Sequence, residues 1–520
     1  MRMRTTFFPR PQRPVDPALL HLRGPSLAGP TVEASREDRA TLSLDQLPAE
    51  LAHILGDGVH ELHIRWASPQ PFEAVSPLYA RLAPGLHVFY TPQTATEQSR
   101  DAICLLLHKV FGPSLDCRSL SNSFTVLGGG RFSHSAGYQY YSDLEDLSGL
   151  ADYVQTKWCP GEDGTPCPFN VDLLLGASSV DLSYDAISHA LKVTTFWPLA
   201  ARTIEGTAQP GSRTELGVLS GEMPANLEPF ELGMAGHVAV LGEDTHPSPV
   251  VFSFPSRHRN AEGASFSSGF LRPAGLHPAL QLRIASGPPP RVDSSDDGFA
   301  SSSCKLHAYL TLPRHIFADK YQLSDPLFLA SKNLTALRHT TQPVDLEAPD
   351  YAVSSWGSAI LLELKPPAEQ QTQTWTAEVP LHLRYLQPAA GGYSIAELPY
   401  PVVFWACAAE DGTKFSTNPF DRVNLGYDGL FGPRTEFWHV TPNPPPASDK
   451  AVLSSSNSLK MAIRVPVLDS SRMDKVNVGT AAVVLLGFTW VLWKLLAVYR
   501  KAGHGRLPKP ETDAVEKKTQ

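Results

Sequence analysis

The stretch VNVGTAAVVLLGFTWVLWKLLAVY, residues 476–499, decides how the rest of the chain is read. Its 24 positions carry one charge, Lys494. As a helix rising about 1.5 Å per residue it spans roughly 36 Å, enough to cross a hydrocarbon core of about 30 Å. Trp490, Trp493 and Tyr499 gather at its C-terminal end, where amphipathic rings favour the membrane interface. Lys494 lies near Tyr499, so its amine can snorkel outward. These four residues are the expected interface anchors, and Arg500 and Lys501 add a basic flank. A buried core helix is the competing reading, and the length and the flank argue against it. The chain is therefore read as polar protein up to residue 475, one membrane span over 476–499 and a tail over 500–520.

Two topologies compete. The N-terminal MRMRTTFFPRPQRP has no long apolar run and no small-residue cleavage site, so it is not an ordinary signal peptide. A late span without such a peptide points to a tail anchor with the bulk in the cytosol. Charges before the span (Arg464, Arg472, Lys475) and after it (Arg500, Lys501, Arg506, Lys509) lean toward a cytosolic tail. Lys517 and Lys518 match a dilysine retrieval tail, which cytosolic coat proteins read. That places the C-terminus in the cytosol and the bulk in the lumen of the endoplasmic reticulum. Asn333-Leu334-Thr335 is the one glycosylation acceptor without proline in the middle.

A net charge of −8 and the absence of a basic block before the tail exclude a nucleic-acid partner. With 47 prolines among 520 residues and abundant Val, Leu and aromatic residues, short strands and turns are favoured over helical bundles. The expected fold is mostly β, with a mixed α+β N-terminal domain, an antiparallel sandwich-like second domain and one C-terminal transmembrane helix. Residues 1–35 are expected to be loosely ordered, 36–200 to form the first domain, and 201–225 to be a Gly/Pro/Thr/Ser linker. Residues 226–440 are expected to form the second domain and 441–475 a Pro/Ser-rich tether. In the first domain HELHIRW (60–66) and GLHVFY (85–90) read as strands by alternation. Thr94–Glu97 and Ser142–Glu145 read as capping boxes opening helices. Strands are expected near 171–175, 180–184 and 189–197. In the second domain they are expected near 250–254, 279–284, 305–312, 359–364, 374–386 and 402–406. Pro380 cannot donate to a ladder, so it belongs at an edge or bulge, where His382 and Arg384 would offer a partner surface.

The six cysteines hold no zinc spacing. Cys159 and Cys167 bracket the turn-rich CPGEDGTPC and are the expected disulfide; Cys104 and Cys407 read as buried thiols. Catalytic motifs fail on inspection. His60-Glu61-Leu62-His63 puts its histidines on opposite faces of a strand, and Gly128-Gly129-Gly130 lacks the rest of a phosphate loop. Ser133-His134-Ser135-Ala136-Gly137 lacks the first glycine of a nucleophile elbow. No catalytic, metal or cofactor-binding set is expected.

The specific signal lies in the second domain. CKLHAYLTLP (304–313), IFADKYQLSDP (316–326), DLEAPDY (345–351), WGSAILLEL (356–364), AEVPLHLRYL (377–386) and YPVVFWAC (400–407) resemble the phosphatidylinositol-glycan class X (PIG-X) family. HELHIRW, APGLHVFYTP (83–92) and NPFDRVNLGYDGLFGPRTEFWH (418–439) resemble its longer fungal, PBN-type branch. The resemblance implies a single-span endoplasmic reticulum glycoprotein with a large lumenal part. It further implies a non-catalytic subunit of glycosylphosphatidylinositol (GPI) mannosyltransferase I, which adds the first α1,4-linked mannose. The implied partner is a multi-pass catalytic mannosyltransferase of the PIG-M type, stabilised by this subunit. The fungal branch is also associated with folding of other lumenal proteins. A lumenal enzyme of unknown type and a tail-anchored cytosolic adaptor are the competing readings.

Overall fold

The computed structural model describes the chain apart from residues 12, 94–96, 128–136, 160–169, 225, 229, 273–274, 286–303, 342–343, 368–373, 410–412, 414, 416–418, 421–424, 446–456 and 504–520. Strand accounts for 46% and helix for 23%, so the chain is mostly β, as its composition implies.

The first sheet has twelve strands. Its spatial order runs Ser248–Pro255, Glu231–Val240, Arg213–Glu222, Arg2–Pro9, Ser26–Ser43, Ala190–Thr207, Ser179–Asp185, Val59–Ala67, Gly85–Pro92, Gly137–Ser142, Thr125–Leu127, with His21–Arg23 folded back on Ser26–Ser43. The pairings are antiparallel except that of Arg2–Pro9 with Arg213–Glu222, which is parallel. Helices Ala49–Gly58, Glu97–Phe111 and Ser148–Tyr153 bury Leu55, Leu107 and Leu150 in the core of this sheet.

The second sheet has eight strands, in the order Leu334–Thr340, Gly357–Leu364, Cys304–Pro313, Val402–Ala408, Thr435–Pro442, His258–Phe270, Ala279–Ala285, Trp375–Pro380. Trp375–Pro380 is the edge strand, so Pro380 occupies the place its missing N–H requires. The sheets share one core. Trp66, Leu86 and Tyr141 of the first pack in the same cluster as Tyr309, Leu361, Phe404 and Phe437 of the second. The Trp356 indole N–H donates across this interface to the Thr125 hydroxyl (3.0 Å) and the Gln139 carbonyl (2.9 Å).

Several expectations need correction. Residues 1–35 are not loosely ordered: MRMRTTFFP supplies an internal strand, Arg2–Pro9, whose Phe7 and Phe8 are buried. The Arg2 and Arg4 side chains, partly exposed, both donate to the buried Glu215 carboxylate. The expected linker 201–225 holds the end of one long strand, Ala190–Thr207, and the whole of the next, Arg213–Glu222. Its Gly206 and Gly217 sit in strands, with Leu216 and Thr6 close against them. Both sheets lie in one compact unit, Met1–Leu386 with Ile395–Arg464, so 201–225 separates no domains. Val171–Leu175 is a short helix capped by Asn170, not a strand. The helix expected from Ser142 starts at Ser148, whose N–H is taken by the Asp146 carboxylate. The tether contains the strand Lys460–Pro466, paired with Tyr393–Pro399. Cys104 and Cys407 are not free thiols; they bond to Cys117 and Cys304.

A second unit comprises Gln387–Ser394 and Val465–Gln520. Asp469 caps the turn Ser470–Arg472, which runs into the helix Met473–Ala502. That helix extends the expected span at both ends to 30 residues, about 45 Å. Its most apolar window has mean hydropathy 2.1 and is wholly exposed, so the helix could span a membrane. Gly503 at φ +62° ends it, donating its N–H to the Tyr499 carbonyl at 2.9 Å.

Candidate functional site

Strand Val59–Ala67 sets Arg65 directly opposite Asp181 of Ser179–Asp185. The two side chains form a nearly buried ion pair. Beyond Ala67 the chain leaves the sheet and returns at Gly85, and this excursion carries Phe72, Leu78 and Arg81. Together with Phe196 and with Phe266, Val402 and Val440 of the second sheet, they enclose a cavity of about 70 Å³. Its walls are mostly apolar; the charged side chains are the Arg65–Asp181 pair and Arg81, and Ser68, Ser178, Ser179 and Tyr400 add hydroxyls.

Arg81 is unlike the other cation. Arg65 has Asp181, whereas the Arg81 Nε and Nη2 atoms are shut off from solvent and have no hydrogen-bond partner among the described residues. Burial lowers its pKa to about 10, still charged at neutral pH. The guanidinium carbon lies 5.6 Å from the Phe72 ring centre. The Arg81 carbonyl accepts the Tyr427 hydroxyl at 2.8 Å.

A polar line lies beside Tyr427. Asp428 Oδ1 is 3.6 Å from His258 Nε2, and His258 Nδ1 is 3.1 Å from His439 Nε2. Parallel pairing of His258–Phe270 with Thr435–Pro442 brings the two histidines together. Such a line has the composition of a proton relay, but it is sealed: His258 is 3% exposed and His439 0%. Burial, then the neighbours His258 and Arg81, hold the His439 pKa well below its ordinary value, so the ring is neutral. Its Nδ1 meets no partner among the described residues. Asp428, at 4% exposure, closes the other end of the line.

The residues singled out in the sequence do not converge here. Asn333 follows the short helix Pro326–Ser331 at φ +55°, a conformation asparagine tolerates better than most. Its Nδ2, the atom to which a glycan would be joined, donates to the Thr376 carbonyl at 2.8 Å. Cys159 is disulfide-bonded; Cys167 lies outside the described residues, as do Lys517 and Lys518. Trp490, Trp493 and Tyr499 are exposed on the apolar helix, and the Lys494 amine sits 5.6 Å and 5.2 Å from the two indole rings. Arg384 does not offer a surface. It is buried, bonded to the carbonyls of Arg314, Ala348 and Asp345, and stacked on Phe317 at 4.4 Å. His382 is half-buried beside His277.

Sequence reading missed Arg81, the Arg65–Asp181 pair and the histidine line. For Arg81 a signal existed: LYARLAP sets one cation in an apolar run. For His258 and His439, 181 residues apart, none did.

Fold and site define a mostly β protein whose two sheets share a core, carrying one C-terminal helix long enough to cross a membrane. Residues 273–496 match the family described as PIG-X / PBN1. Over 518 residues the chain is 50% identical to Protein pbn1 of Neurospora crassa, covering 100% of this chain and 99% of the relative. It is 44% identical to Protein pbn1 of Emericella nidulans, covering 97% of each. It is 26% identical to Protein PBN1 of Yarrowia lipolytica over 94% of each. The chain belongs to the PIG-X / PBN1 family.

Proposed function

We propose that this chain is a stabilising, non-catalytic subunit of the GPI mannosyltransferase I complex in the endoplasmic reticulum membrane. Its bulk lies in the lumen and its tail in the cytosol, and its partner is the multi-pass catalytic subunit of PIG-M type. Family membership supports a role in GPI-anchor biosynthesis. The observation that carries the lumenal placement is the pair of disulfides, Cys104–Cys117 and Cys304–Cys407. Disulfides persist in oxidising compartments and are rare in the cytosol. The apolar helix supplies the anchor. A chain that binds only the folded form of a partner raises that partner's stability by mass action, without contributing a reacting group.

Depleting the chain is expected to abolish first-mannose transfer by lowering the amount of catalytic subunit. Activity in isolated membranes, normalised to catalytic subunit, should stay constant in His439→Gln and Asp428→Asn variants that fold. A hundredfold loss at constant partner level would show that the chain carries chemistry. Protease protection of the bulk, with a tail accessible from the cytosolic side, tests the orientation.

A further inference from the structure

The cavity between the sheets has an electrostatic imbalance that the accessory role does not use. Three charged side chains line it, two of them compensating one another. The third, Arg81, faces aromatic and aliphatic groups and leaves Nε and Nη2 without acceptors among the described residues. These two nitrogens form one edge of the guanidinium, the fork that binds the two oxygens of a carboxylate side by side. Burying a cation with its donors unmet is costly, and an acceptor carried by a ligand removes that cost.

We infer that this cavity binds the carboxylate of a small apolar acid, with Arg81 as its anchor and Phe72, Phe196, Phe266 and Val402 around its tail. Three features select this chemistry. The single uncompensated charge matches a monoanion better than a phosphate dianion. The 70 Å³ of space suits a group of several heavy atoms rather than a folded partner segment. The remaining lining is largely aliphatic and aromatic, with the hydroxyls of Ser68, Ser178, Ser179 and Tyr400 as its uncharged polar groups. Because the fork is sealed, binding includes a change of Arg81 rotamer that turns the edge toward the open space. The half-buried Phe72, which covers the cation, moves with it. The carboxylate could be that of a free acid or the C-terminus of an apolar peptide. The inference is independent of the accessory-subunit reading, since it concerns a cavity and not the transferase.

The test uses the full chain purified in detergent, with binding read by calorimetry and by the shift in unfolding temperature. Hexanoate and N-acetyl-Ala-Leu, which ends in a free carboxylate, are the two probes. Hexanol and N-acetyl-Ala-Leu-amide are the neutral controls. At least one acid is expected to bind saturably and at least tenfold more tightly than its neutral control. Whichever acid binds identifies the source of the carboxylate. Arg81→Met is expected to weaken that acid at least tenfold while the ligand-free protein unfolds at the same temperature or higher, because the substitution removes two buried donors that have no acceptor among the described residues. Arg81→Lys, which keeps the charge and loses the fork, should fall between. Equal binding of acid and alcohol, failure of both acids to bind, or full binding by Arg81→Met overturns the inference.

Discussion

In the first sheet the strand Gly85–Pro92 is buried at every position, and its Leu86, Val88 and Tyr90 share one core with the helices and with the second sheet. Tyr90 donates to the Gly58 carbonyl on the helix side, while the His87 ring lies 4.9 Å from Tyr141, which in turn meets Trp356. The second sheet also buries its central strands Cys304–Pro313 and Val402–Ala408 almost completely. Its centre is in addition cross-linked, by Cys304 and Cys407 directly opposite on neighbouring strands. The first sheet is thus held by burial, with the Cys104–Cys117 disulfide in the layer packed on it, and the second by burial plus a disulfide between its own strands that closes a loop of 103 residues. The difference teaches where each sheet is vulnerable: the first to packing changes, the second to reduction.

The largest expected effect follows directly. Loop entropy puts the stabilisation by a crosslink over about 100 residues near 4.7 kcal/mol and that over about 15 residues near 3 kcal/mol. Replacing Cys304 and Cys407 together by serine should therefore cost more than replacing Cys104 and Cys117. Chemical denaturation of the purified chain measures both. Equal losses would mean that the two sheets do not differ in this way.

Next comes the contact that joins the sheets. Trp356→Phe keeps most of the ring and deletes the N–H that reaches Thr125 and Gln139. A loss of about 2 kcal/mol is expected, the cost of leaving buried groups unsatisfied. A loss in one unfolding transition shows that the sheets unfold together; two separated transitions would break the shared-core description.

The pH response separates the sheets more finely. Burial lowers His87 in the first sheet to about 3, and His307 in the second to about 4. His439, also in the second, lies well below its ordinary value. Each folded pKa is below the unfolded value of 6.5, so the unfolded chain binds the proton first. Stability is therefore full above 6.5 and is lost as pH falls below it, by up to about 1.4 kcal/mol per unit per group. His307→Gln with His439→Gln should flatten this acid limb more than His87→Gln does. Denaturation midpoints between pH 7 and pH 4.5 supply the slopes.

The smallest effect concerns Asn333. Asn333→Gln removes the bond to Thr376 and should cost about 1 kcal/mol. If the site carries a glycan, the variant also loses the glycosidase-sensitive mobility shift on a gel.

Legibility in the sequence tracked the range of the interactions involved. The apolar helix and the runs CKLHAYLTLP and YPVVFWAC show themselves through local composition, and the edge position of Pro380 follows from its own chemistry. The strand MRMRTTFFP was hidden because its arginines look solvated until Glu215 is placed beside them. Residues 201–225 resemble a linker in composition because the pairing that makes them strands comes from Arg2–Pro9 and Glu231–Val240. Reading Cys407 as a free thiol failed for the same reason: no local pattern marks Cys304 and Cys407 as opposite neighbours. The Asp428–His258–His439 line and the cavity beside Arg81 arise only after two sheets have met.

The parallel pairing of Arg2–Pro9 with Arg213–Glu222 also has a consequence in time. One edge of the early strand waits for residues more than 200 positions later. At roughly 5–20 residues per second of synthesis, that wait lasts about 10–40 s. Through it, Phe7 and Phe8 have their place in the sheet only half built. A ribosome paused before residue 213 would hold a chain whose first sheet has an open, apolar seam, the kind of nascent surface that holding factors are suited to cover.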